Sequence, residues 1–125
     1  MAGYFFLPRT HAAFLPESPR DPMNAYFCKL VAPRPTFVQD MTPAERQLMQ
    51  EHGTYWREWL AKGNVVTFGL VLDPAGAFGI GVVEFEDDAS VRSFTDNDPT
   101  IRSGQGFRFE IQPMPFGAVR AERSA

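Results

Sequence analysis

His52 is the residue best placed in this chain to move a proton. It lies in Thr42–Gly63, TPAERQLMQEHGTYWREWLAKG. At roughly 100° per residue, its side chain falls about 40° from Leu48 and Trp56 and about 20° from Trp59. An ionisable ring thus sits on the apolar side of an amphipathic helix, beside Tyr55, Trp56 and Trp59. Such a set could wall a pocket as well as fill a core. Asp98 is the carboxylate that can serve it, from the loop feeding the last strand. A carboxylate bonded to one ring nitrogen fixes the tautomer and stabilises the protonated ring. The other nitrogen is then a general base or acid. The blander alternatives are a core-edge histidine bonded to a backbone carbonyl and a turn-forming Asp-Pro. Asp96 competes with Asp98 but lies nearer the helix end.

Other candidates are weaker. Arg34 could hold a substrate carboxylate or phenolate, because its planar fork suits such anions; otherwise it is an exposed loop arginine. Tyr55 and Trp56 are candidate ligand contacts that could equally be core. Glu51 projects to another face and reads as solvated. Cys28 has no histidine or arginine nearby in sequence, and buried strand thiols are usually inert. The chain has 2 histidines, His11 and His52, and no ligand-spaced cluster, so no metal is expected. No Gly-rich phosphate loop precedes a helix, so no nucleotide is expected. Haem ligation by His52 stays open on sequence alone, but no cofactor is assigned.

The positioning elements follow from composition and punctuation. With 125 residues, 44% hydrophobic and 22% charged, the chain has the size and make-up of one globular domain. A net charge of −3, with no Lys/Arg run, does not describe a nucleic-acid surface. No apolar stretch is long enough for a bilayer, so no membrane partner is expected. The single cysteine excludes an internal disulfide and suits a reducing, cytoplasmic setting. Residues 1–22 carry Pro8, Pro16, Pro19 and Pro22, which discourage a helix or central strand. They read as an irregular extension that is not a signal peptide; Tyr4, Phe5, Phe6 and Phe14 could instead anchor it.

Asn24–Val31 reads as a strand with Tyr26, Cys28 and Leu30 on one face, and Ala32–Met41 as a loop. The helix Thr42–Gly63 has both ends marked. Thr42 and Glu45 form a capping box, Pro43 opens the first turn, and Gly63 suits the left-handed end. Its buried stripe is Ala44, Leu48, Tyr55, Trp56, Trp59 and Leu60. Asn64–Leu72 and Ala77–Phe85 form a hairpin about Asp73-Pro74-Ala75-Gly76. Gly79 and Gly81 in the second of these strands imply close approach, by a packed helix rather than a ligand. Asp87–Thr95 is a shorter helix capped by Asp87 or Asp88, and Pro99 helps end it. Thr100–Gly106 reads as a loop and Phe107–Pro113 as the last strand, with 115–125 a loosely held tail. The order βαββαβ is the ferredoxin-like α+β arrangement: a four-stranded antiparallel sheet with two helices on one face. The bare face calls for a partner, most simply a second copy in a two-fold homodimer.

From Met23 to Met114 the chain resembles the YCII-related domain family. The resemblance rests on AYFCKLVAPRPTF, the stretch from Met41 to Gly76, FGIGVVEFED, the NDP turn and FRFEIQPM. It implies a ferredoxin-like dimeric α+β barrel, similar to muconolactone isomerase-like proteins, with a catalytic pair at His52 and Asp98. Arg34 matches the arginine of the loop after the first strand. Gly69-Leu70-Val71 departs from the Gly-Pro-Val common in that family. The function expected is acid–base proton transfer, without a cofactor, on a small cyclic or aromatic anion. The alternative is a non-catalytic module that binds a small molecule or assembles as a dimer.

Overall fold

The computed structural model describes residues 23–121; the expectations for residues 1–22 and for the end of the tail lie outside them. The elements are β1 (Asn24–Val31), α1 (Phe37–Asp40), α2 (Pro43–Lys62), β2 (Val65–Val71), β3 (Phe78–Phe85), α3 (Asp88–Asp96), α4 (Pro99–Arg102) and β4 (Arg108–Pro113). The 4 strands form one antiparallel sheet in the order β2-β3-β1-β4, with the helices packed on one face. This is the ferredoxin-like α+β fold. No described helix is long and apolar enough to cross a membrane.

The long helix forms where its caps put it. Thr42 Oγ1 accepts from the Glu45 N–H at 3.1 Å, and Glu45 Oε1 accepts from the Thr42 N–H at 2.9 Å. Two backbone donors that no helical carbonyl can reach are thereby satisfied. Gly63 ends the helix at φ 94°, a left-handed conformation in which a Cβ would be strained. Along β1, Tyr26, Cys28 and Leu30 are buried against the helices, while Phe27, Lys29 and Val31 look toward the open face.

α2 lies along β3 and runs in the same sense. Trp56 sits over Gly81, where an added Cβ would overlap the indole, and one turn later the Trp59 ring meets Phe85 at 5.6 Å. Phe94 of α3 completes this core, edge-on to Trp56 at 4.8 Å. A second apolar cluster is built from Leu30, Phe37 and Phe107.

Four expectations need correction. The segment 32–41 is not all loop: α1 turns Phe37 inward, so that it is buried. The segment 100–106 likewise opens with α4, because Asp98 caps it and Pro99 fits its first position. Two members of the expected α2 stripe are exposed. Ala44 lies in a first turn held by Arg34 and Glu45 rather than by apolar packing. Leu60, 43% exposed, lies outside the row formed by Trp56 and Trp59.

Candidate active site

α2 carries His52 one turn before Trp56, and the short link between α3 and α4 carries Asp98 back against both. Asp98 is extended (φ −62°, ψ 135°), as the residue before a proline tends to be, and its side chain turns in to cap α4. Its Oδ1 accepts from the Thr100 N–H at 2.8 Å and from Thr100 Oγ1 at 2.7 Å. Its Oδ2 accepts from Trp56 Nε1 at 2.6 Å and lies 2.8 Å from His52 Nδ1.

Asp98 is 0% exposed, so its charge is tenable only with such donors around it. Burial alone would push this carboxyl up. The hydrogen bonds from His52 and Thr100, with the charge of His52, outweigh that and hold it below its usual 3.8. The Trp56 N–H acts in the same direction. An ionised, acceptor-only Asp98 requires the proton of neutral His52 to sit on Nδ1. Nε2 is then a bare lone pair, with no hydrogen-bond partner among the described residues.

The His52 side chain is 14% exposed and lines a cavity of about 270 Å³ between the sheet and the helices α1 and α2. Phe37, Met49, Trp56, Gly79 and Phe107 are among its walls, and among the described residues His52 is its only ionisable lining side chain. A general base at the rim of an apolar, ring-lined hollow is an arrangement suited to proton transfer.

The structure therefore brings together His52, Asp98 and Trp56. Arg34 and Tyr55 are elsewhere. Arg34 grips Glu45 through Nη1 at 2.9 Å and Nη2 at 2.8 Å, and Asp40 through Nε at 2.8 Å. Those hydrogen bonds raise the guanidinium pKa further and pull Glu45 down to about 2. The fork expected for a substrate anion thus ties α1 to the first turn of α2. Tyr55 stacks on Phe94 at 5.5 Å and donates its hydroxyl to the Phe94 carbonyl at 2.7 Å. Burial first, then the charge of Asp98, pushes its phenol up to about 12. Thr100 and the indole N–H of Trp56 escaped notice in the sequence. Asp-Pro-Thr repeats the cap-then-proline pattern of Thr42-Pro43, and a buried indole N–H needs an acceptor; either signal could have found them.

Fold and site together define an α+β sandwich with a buried His–Asp pair beside an apolar hollow. The chain belongs to the YCII-related domain family, whose model matches residues 25–115. A search of the curated proteins found no match. The match covers both members of the pair and ends just past β4.

Proposed function

We propose that the protein is an acid–base catalyst that uses no cofactor and acts on a small cyclic or aromatic substrate. The observation that carries this reading is the pairing of the buried Asp98 carboxyl with His52 Nδ1 beside the hollow, which supports Nε2 as the free base. His52 takes a proton from substrate through Nε2. The imidazolium so formed is stabilised by Asp98, exchanges its proton with solvent, and delivers a proton to a different substrate atom. The substrate is isomerised, and the enzyme returns to its starting state. Isomerisation next to a carbonyl, including enol and lactone forms, is the reaction class this supports. Any negative charge on the substrate must be met by His52, because Arg34 is engaged with Glu45 and Asp40. The open sheet face, with Phe27, Val31 and Val82 only half-buried, is assigned to a second copy of the chain.

The test is deuterium wash-in from heavy water, followed by NMR over a panel of cyclic ketones and enol lactones. His52→Ala is expected to lower the rate of any exchanged compound about 10²–10⁴-fold, with a substantial loss also in Asp98→Asn. Full rates in both variants would remove the mechanism. Binding without exchange across the panel would favour the non-catalytic module.

A further inference from the structure

Two glycines on β3 face the helices, and only one has its space filled. Gly81 lies opposite Cys28 on β1 and Phe68 on β2, and the Trp56 ring occupies the place of its missing side chain. Gly79 lies opposite Leu30 and Leu70 on the same face. A Cβ there would meet nothing nearer than Leu30, at 3.5 Å, and Gly79 forms part of the cavity floor. The step from Gly81 back to Gly79 is about 6.6 Å along the strand, and the four-residue step from Trp56 back to His52 is about 6 Å along the helix. Because α2 and β3 run in the same sense, His52 stands level with Gly79 as Trp56 stands level with Gly81. The His52 and Trp56 rings are 5.9 Å apart.

We propose that the vacancy over Gly79 seats the ring of the ligand, as the place over Gly81 seats the indole of Trp56. The ligand is a small, flat, uncharged cyclic molecule with one enol- or phenol-type hydroxyl, which donates to His52 Nε2. This assignment rests on the reading of His52 as a base and adds to it where the substrate lies and what it is. Leu30 and Leu70 flank the ring in the sheet, and Phe37 and Met49 close over it. Leu70, 56% exposed, stands at the mouth.

A carboxylate is excluded on electrostatic grounds. Among the described residues His52 is the only ionisable group in the lining, and the N–H of Trp56 is already given to Asp98. The charge of a protonated His52 is already met by Asp98, so a buried carboxylate would have no cation of its own and is strongly disfavoured. The space of about 270 Å³ admits a bicyclic molecule, given that a cavity of about 150 Å³ takes up benzene.

The experiment uses 2-naphthol and 2-naphthoate as probes, titrated into the full chain with tryptophan fluorescence and calorimetry as readouts. 2-Naphthol is expected to bind about tenfold or more tightly than 2-naphthoate. In Gly79→Val the added side chain fills the seat, and 2-naphthol binding should weaken about tenfold or more. Should that variant fail to fold, intermolecular NOEs in the wild type decide the matter: naphthol protons should contact Gly79 Hα and the Met49 methyl. Equal binding of the two probes, unchanged affinity in folded Gly79→Val, or NOEs only to other surfaces would overturn the proposal. The two readings fail separately. Naphthol seated over Gly79 in a protein whose exchange rate is indifferent to His52→Ala would support the seat and remove the proton transfer.

Discussion

A carboxylate with no exposed surface is costly to keep charged, and the donors around Asp98 are what keep it so. Their arrangement sets which nitrogen of His52 is free. Trp56→Phe removes one donor from a buried charge and should destabilise the protein by about 2 kcal/mol, read as a fall in Tm. The pH dependence follows from the direction of the shifts. Asp98 and Glu45 are both held below their ordinary values of 3.8 and 4.5. Their stabilisation is therefore complete above the ordinary carboxylate range and fades as the pH falls through the folded values, about 2 for Glu45. Denaturant unfolding between neutral pH and pH 3 should show that loss, and Asp98→Asn should make the slope shallower. A slope unchanged by that substitution would mean that Asp98 is not ionised in the fold. At this scale the His52–Asp98 pair was legible, because helical spacing put the ring inward and the Asp-Pro turn could reach it. Arg34 misled: its partners Asp40 and Glu45 are 6 and 11 residues away, and no local pattern shows that they meet it.

At the level of elements, the decisive contact is α2 laid along β3, and the two inward glycines of β3 report on it differently. Gly81→Ala drives a methyl into the Trp56 ring and should cost about 1–3 kcal/mol. Gly79→Ala meets only ordinary contacts and should leave Tm nearly unchanged. Thermal unfolding of the two variants checks this, and equal effects would mean that the space over Gly79 is not open. The ends of α2 were readable because Thr42, Glu45 and Gly63 act through backbone chemistry that is local. The helices α1 and α4 were not, since each has 4 residues and presents no hydrophobic period. Tertiary packing draws α1 inward at Phe37, whose ring meets Phe107 edge-on at 5.2 Å. The close approach expected of the β3 glycines proved to be helix packing at Gly81 and open space at Gly79.

For the whole molecule, helices cover one sheet face and leave Phe27, Val31 and Val82 on the other. Light scattering after size exclusion should give a dimer, and Val82→Lys should shift it toward monomer. A wild-type monomer at high micromolar concentration would refute the assembly. The βαββαβ order was legible from strand and helix periods alone, since so few topologies satisfy short, right-handed connections. The hollow was not. It is made by Phe37, Met49, Gly79 and Phe107, residues far apart in the chain that no local pattern joins.

The most direct measurement is the tautomer of His52, obtained from long-range nitrogen–proton NMR correlations at a pH high enough that the ring signals no longer change with pH. A proton on Nδ1 with a bare Nε2, lost in Asp98→Asn, is the expected result. A proton on Nε2 would contradict a base aimed into the hollow.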